Sequence, residues 1–155
     1  MVKVKNKSPV HFHFQDLPPN LRDRRKLRNF LVFLFKNEKK NLGSLNYVFC
    51  TDKFLLKINR DFLHRNHYTD VISFDLSDSV QEIVGEIYIS LPRVKQNAKY
   101  FKQRFSNEVL RVMFHGALHL CGYKDENPRK QSQMKNKEDY YLAQYFSRVP
   151  RRTVS

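Results

Sequence analysis

The stretch SNEVLRVMFHGALHLCGYKD, which runs from Ser106 to Asp125, carries the strongest structural signal in the chain. Its apolar residues recur every three or four positions, and this spacing predicts an amphipathic helix from near Ser106 through Leu120. Gly122 follows directly, at the position where a glycine commonly ends a helix. The pattern therefore predicts a helix that packs into the core, followed by a tight turn.

Two histidines near the end of this helix form a candidate metal site. His115 and His119 are four residues apart, so one helical turn places both imidazoles on the same face. Asp125 lies just past the Gly122 turn and is placed to return as a third ligand. Two histidines and one carboxylate leave a coordination position free for water, which a catalytic zinc ion requires. The pattern predicts one zinc ion per chain at this helix C-terminus.

Other interpretations of the histidine pair stay open at this point. Histidines spaced by four also occur as ordinary packed or surface residues. In a structural zinc site Cys121 would be the fourth ligand, although helical geometry places it about half a turn from the His119 face. Zinc peptidases place a glutamate beside the first histidine, where this chain has Gly116. We expect Gly116 and Ala117 to leave open space for a bulky substrate.

Hydrophobic periodicity over the whole chain predicts an α+β domain. Strands are predicted at residues 10–14, 45–50, 71–74 and 83–89. Helices are predicted near residues 21–36, 51–59, 90–100, 106–120 and 129–146. These elements suggest a mixed sheet of about four strands covered by about five helices, in a single domain spanning residues 1–147. Residues 148–155 read as a basic, flexible tail.

The charge of the chain predicts a polyanionic partner. Lys and Arg number 29 against 15 Asp and Glu, a formal net charge of +14. Such an excess attracts nucleic acid first and acidic membrane surfaces second. A candidate phosphate-binding surface lies on the outer face of the first helix, at Arg22, Arg24, Arg25 and Arg28.

The compartment is predicted to be the cytoplasm, without a membrane partner. No apolar run approaches the length of a membrane span, and no secretory signal is evident. The two cysteines, Cys50 and Cys121, lie in apolar surroundings without metal-binding spacing. Two buried thiols are expected.

Several motifs together resemble one known family. The segment His115–Tyr123 reads HGALHLCGY, residues 69–74 read TDVISF, and residues 85–89 read GEIYI. Asn59, Met134 and Glu138 occupy matching positions around them. In this order the motifs resemble the YbeY-type metal-dependent endoribonucleases of bacterial ribosomal RNA maturation. The resemblance spans residues 59–138.

The chain departs from the commonest family pattern at three points. Asp125 stands where that pattern has a histidine as third metal ligand. A family arginine that faces the active site aligns with Leu63, which leaves Arg60 and Arg65 as alternatives for that role. The proline before the TDV segment is replaced by Tyr68.

The resemblance implies a specific activity and specific partners. It implies a mixed α/β domain with one zinc ion, acting as a single-strand-specific endoribonuclease. The implied substrate is precursor ribosomal RNA at the 3′ end of the small-subunit RNA, and the implied setting is ribosome quality control with ribosome-associated proteins. The alternatives are a non-catalytic zinc-containing ribosome biogenesis factor and another zinc hydrolase. Tyr68 and Tyr123 are candidates for stacking on unpaired bases, with simple packing as the alternative.

Overall fold

The computed structural model describes residues 8–16 and 21–148, and within them the predicted number of strands and helices is confirmed. The strands are β1 (Val10–Phe14), β2 (Leu42–Cys50), β3 (Val71–Asp75) and β4 (Ile83–Ser90). The helices are α1 (Arg24–Asn37), α2 (Asp52–Leu63), α3 (Leu91–Tyr100), α4 (Phe105–Leu120) and α5 (Pro128–Ser147). Apart from Arg148, the predicted tail lies outside the described residues.

Element boundaries differ from the prediction mainly around α1, β2 and α2. α1 begins at Arg24 rather than at residue 21, so Arg22 precedes the helix instead of lying on its outer face. β2 begins at Leu42 rather than at residue 45, so Gly43 lies within the strand. The pairing with β4 is irregular between Leu42 and Ser44, and such a bulge is a common place for a strand glycine. α2 continues to Leu63 rather than 59, and His64 ends it in the left-handed conformation with φ of 55°.

The four strands form one mixed sheet in the order β1-β2-β4-β3. β1 pairs with β2 and β2 with β4 in parallel, whereas β3 pairs with β4 in antiparallel fashion. The sheet therefore has β3 at one edge. In the register of this last pair, Ser73 lies opposite Ile87.

α4 lies against the sheet at its glycine, and the close approach contradicts one expectation. A Cβ atom on Gly116 would lie 2.8 Å from Ile87 Cγ2 and 3.0 Å from Ser73 Oγ. The Ser73 hydroxyl donates a hydrogen bond of 3.2 Å to the Gly116 carbonyl. Ala117 is fully buried as well. The expectation of open space for substrate at this pair was wrong: the small residues let the helix contact the sheet.

Both cysteines are buried free thiols, as expected. Burial raises the pKa of Cys50 to about 12, and it does the same for Cys121. Neither thiol is therefore a ready nucleophile at neutral pH. None of the described helices is long and apolar enough to cross a membrane.

Candidate metal centre

The turn after α4 brings the chain back across the end of the helix. Gly122 has a φ of 107°, a conformation that side chains disfavour. The Gly122 N–H donates to the His119 carbonyl at 3.0 Å, and the Tyr123 N–H donates to the Leu118 carbonyl at 3.0 Å. This pair of bonds is the Schellman arrangement that ends helices. It confirms the predicted helix end and directs the following residues towards the histidines.

The structure brings together the three residues that the sequence singles out. His115 Nε2 and His119 Nε2 lie 3.0 Å apart. Asp125 Oδ2 lies 3.4 Å from each of these nitrogens. Ligands at about 2.0–2.1 Å from a tetrahedral zinc ion are separated by about 3.3 Å, so the spacing suits such an ion. Within the described residues, no other group of three His, Cys, Asp or Glu side chains converges in this way.

Hydrogen bonds to the far side of each imidazole orient the site. His115 Nδ1 lies 2.6 Å from Glu138 Oε2, and His119 Nδ1 lies 2.9 Å from the Tyr123 carbonyl. Both partners are acceptors, so each imidazole donates from Nδ1 and turns the lone pair of Nε2 towards the other ring. With the Asp125 oxygen, three electron-rich atoms face one point. A metal cation satisfies all three at once.

Charged neighbours hold these partners in place. Arg111 donates to Glu138 Oε1 at 2.9 Å and to Asp139 Oδ1 at 2.6 Å. Burial lowers the pKa of His115, but the hydrogen bond and charge of Glu138 outweigh it and the net pKa is raised. Burial and the neighbouring His115 lower the pKa of His119. Without a metal, His119 therefore stays neutral to lower pH than His115.

Sequence reasoning located Glu138 but missed Arg111. Arg111 lies four residues before His115 on the same helix face. A cation next to a metal site needs an acidic partner, and this was the signal that could have located Arg111. Cys121 is buried and lies outside the converging group. The described structure therefore offers no fourth protein ligand of the kind that a closed structural zinc site requires.

A cleft of about 380 Å³ opens beside the three ligands. Arg65 and Leu63 line it, whereas Arg60 is exposed on α2 and is not among its lining residues. The buried Asn59 shapes this wall: its side chain donates to the His67 carbonyl at 2.9 Å, and its carbonyl accepts from the Arg65 N–H at 3.2 Å. Of the two predicted arginines, the structure brings Arg65 to the cleft.

Asp70 forms another part of the cleft wall. Burial raises its pKa, an effect only partly offset by the charge of His115 and a 3.3 Å hydrogen bond from Asn97. Asp70 therefore links the cleft to α3.

The basic surface predicted on α1 lies away from the metal ligands. Arg24 lies 5.1 Å from the centre of the Phe14 ring, and Arg28 lies 5.7 Å from that of Phe12. The opposite end of the helix, at Glu38, contacts the metal-site loop through Tyr123. The fourteen residue steps from Arg24 to Glu38 span about 21 Å of helix axis. Phosphate binding at this surface stays a prediction.

The two tyrosines proposed for base stacking occupy different environments. Tyr123 donates its hydroxyl hydrogen to Glu38 at 2.7 Å, which favours packing over stacking. Tyr68 is half exposed, and the Arg93 guanidinium lies 5.0 Å from the centre of its ring. Of these two tyrosines, Tyr68 is the more exposed.

Comparisons with known proteins agree with this geometry. The family model described as Endoribonuclease YbeY matches residues 16–146. A protein from Cytophaga hutchinsonii named Endoribonuclease YbeY is 42% identical over 134 residues, covering 86% of this chain and 94% of the relative. One of the same name from Flavobacterium psychrophilum is 47% identical over 114 residues, covering 74% and 81%.

A solved structure shares the fold. The solution structure of TM1509 from Thermotoga maritima superimposes with a TM-score of 0.59 at 25% sequence identity, covering 89% of each chain. The family match extends over most of the chain and includes all three converging ligands. The chain belongs to the YbeY family of endoribonucleases.

Proposed function

We propose that the chain cleaves single-stranded RNA with one zinc ion held by His115, His119 and Asp125. Its substrate would be precursor ribosomal RNA at the 3′ end of the small-subunit RNA, and its setting would be ribosome quality control in contact with the ribosome or ribosome-associated proteins. The observation that carries the proposal is the convergence of three ligand atoms, 3.0 to 3.4 Å apart, at the wall of an open cleft. Three ligands leave room for water or a phosphate oxygen.

The chain's own residues prepare the centre before substrate arrives. Glu138 and the Tyr123 carbonyl hold both imidazoles with their Nε2 atoms inward, so the two rings already face the position that an ion would occupy. A zinc ion bound there would polarise a phosphoryl oxygen and make a bound water more acidic. Asp125 would complete the ligand set from the loop.

Arg65 is the favoured substrate-binding cation. It lines the cleft that contains the three ligands, and its backbone is pinned to Asn59. A guanidinium at this place would pair with the phosphate under attack and offset charge in the transition state. Arg60, the alternative for this role, is exposed on α2 and would contact RNA further out.

The alternative functions lack support from the site. A zinc peptidase would need a general base beside His115, and Gly116 there is buried against the sheet. A structural zinc factor would need a fourth ligand, and Cys121 lies outside the group.

The test combines metal content with RNA cleavage. Purified protein is incubated with single-stranded and duplex fragments of precursor ribosomal RNA, and zinc is measured by elemental analysis. We expect about one zinc per chain and cleavage of the single strand only. His119→Ala should lose both zinc and cleavage, whereas His11→Ala, at an exposed histidine of β1, should keep both. Zinc retention with full cleavage in His119→Ala would rule out this centre.

A further inference from the structure

The corner between α3 and α4 exposes two aromatic rings. Tyr100 is 80% exposed and Phe101 is 58% exposed. Their rings meet edge to face, with centres 5.0 Å apart. Large aromatic side chains are usually buried, and these two rings are exposed to water. Adjacent exposed apolar side chains often mark a binding surface.

Positive charge surrounds this ring pair. The fifteen residues from 91 to 105 contain five Lys or Arg and no Asp or Glu. Within the described residues, Arg93 pairs with Asp52 at 2.6 Å, and no salt bridge is formed by the other four. Those nearest the rings, Lys99, Lys102 and Arg104, are all exposed. The corner thus combines flat apolar surface with unneutralised cations.

The turn after α3 has a lysine at the position where glycine is usually found. Lys102 has a φ of 55°, in the left-handed region that costs a non-glycine residue about 1–2 kcal/mol. Its N–H donates to the Lys99 carbonyl at 3.3 Å, and the Gln103 N–H donates to the Ala98 carbonyl at 2.8 Å. This is again the Schellman arrangement, here with a charged residue in the glycine position. The turn therefore carries an exposed cation directly after the two rings.

The helix that leads to the corner contacts the wall of the metal-site cleft. Asn97 donates to Asp70, which lines the cleft. Tyr100 and Phe101 follow Asn97 by three and four positions, so they lie on the same side of α3, one turn further out. Arg104 precedes α4, and the axial rise to His115 is about 16 Å. About five stacked nucleotides cover that distance at about 3.4 Å each.

We propose that the Tyr100–Phe101 corner is a second contact site for single-stranded RNA, outside the metal centre. Unpaired bases stack on the two rings, and phosphates contact Lys99, Lys102 and Arg104. A protein partner fits less well, because a stable protein interface needs some twenty or more residues a side rather than two rings. The inference rests on the proposed function, because it takes RNA as the strand that extends from the cleft to this corner.

The experiment measures how RNA affinity depends on length. Zinc-loaded protein is titrated into fluorescein-labelled 2′-O-methyl phosphorothioate oligouridylates of about 20 and about 4 nucleotides, which resist cleavage, and anisotropy is recorded at several salt concentrations. Tyr100→Ala and Phe101→Ala should each weaken binding of the long strand by about 5- to 100-fold and leave the short strand unaffected. Tyr140→Ala, at a tyrosine of α5 that is 45% exposed, is the control and should bind like the parent.

A charge variant tests the phosphate contacts separately. Replacing Lys99 and Lys102 by Gln should reduce the salt slope for the long strand by about 1.4, because each contact with a single strand contributes about 0.7. Thermal unfolding at the parent temperature will show that these exposed changes leave the fold intact.

The outcomes separate this inference from the proposed function. Folded Tyr100→Ala and Phe101→Ala variants that bind the long strand like the parent overturn the inference, even if the parent cleaves RNA. Equal weakening for long and short strands also overturns it, because the rings would then belong to the cleft. A parent that binds the long strand through these rings but never cleaves RNA supports the inference and refutes the proposed function.

Discussion

Tyr123 joins the end of α1 to a candidate metal ligand, His119: its hydroxyl donates to Glu38 at 2.7 Å, and its carbonyl accepts from His119 Nδ1 at 2.9 Å. The Glu38 side chain is 8% exposed and also accepts from Tyr141 and Lys137. Burial raises the pKa of Glu38, but the hydrogen bonds from Tyr141, Tyr123 and Lys137 outweigh it and leave the pKa below its ordinary value.

The lowered pKa of Glu38 predicts a loss of stability in acid. A carboxyl group whose folded pKa is depressed contributes stability above the unfolded value, near 4.3, and loses it as pH falls through the folded pKa. Glu38→Gln should therefore lower the free energy of unfolding by about 1–2 kcal/mol at neutral pH. The difference from the parent should shrink as pH falls below about 4. Urea unfolding of the parent and the variant, at neutral pH and below about pH 4, measures this difference in the free energy of unfolding. A difference that is the same at the two pH values would contradict the prediction.

Glu138→Gln should weaken zinc binding without unfolding the protein. Residues that orient a metal-binding histidine typically contribute about 10- to 100-fold in metal affinity. Asp139→Asn is a matched control, because Asp139 also accepts from Arg111, whereas the hydrogen bond from His115 Nδ1 goes to Glu138. Competition with a fluorescent zinc chelator gives both affinities. A similar loss in the two variants would place the effect in Arg111 rather than in the His115 hydrogen bond.

Features that depend on local spacing could be predicted from the sequence. The histidines lie one helical turn apart and Gly122 ends that helix, so three ligands within eleven residues follow from helical geometry and one turn. Strand and helix types followed in the same way from apolar periodicity.

Features that depend on tertiary contacts could not. The Glu38–Tyr123 bond joins residues 85 positions apart, and no pattern in either segment points to the other. The sequence suggested open space at Gly116 beside the metal site, because it does not show that Ile87 lies against this glycine. The choice between Arg60 and Arg65 depended on where α2 ends, and the left-handed His64 that ends it carries no glycine signal.

Arg65→Gln should reduce RNA cleavage far more than Arg60→Gln. Arg65 lines the metal-site cleft, whereas Arg60 does not, so only Arg65 is placed to contact the phosphate at the centre. Loss of such a contact typically lowers kcat by about 100-fold or more. Neither substitution should change the zinc content, and elemental analysis checks this before kinetics are measured. A larger effect from Arg60→Gln would move the cation role to the exposed face of α2.

Gly116→Ala should destabilise the protein by steric overlap. The new Cβ would lie 2.8 Å from Ile87 Cγ2, and extra atoms in a packed core typically cost about 1–3 kcal/mol. Ile87→Ala removes the obstructing atoms, so the double variant should be less destabilised than the sum of the two single changes. Strictly additive free energies of unfolding would show that the overlap is relieved elsewhere.

Asp125→His should keep zinc and shift the pH dependence of cleavage downward. The carboxylate brings a negative charge that a neutral imidazole lacks, so a zinc ion held beside Asp125 would be less positive, and water bound to that ion would give up its proton at higher pH. With histidine in its place, cleavage should reach half its plateau at lower pH. Asp125→Ala should instead lose zinc affinity, and cleavage with it, because only the two histidines remain as ligands.

The neighbouring Glu126→Gln is the control. Glu126 is exposed and pairs with Lys130 at 2.5 Å, so its removal should alter neither the zinc content nor the pH profile of cleavage. An Asp125→Ala variant that holds zinc and cleaves like the parent would remove Asp125 from the ligand set. A carboxylate of α5 such as Glu138 would then have to be the third ligand, and Glu138 would have to give up its hydrogen bond with His115 Nδ1.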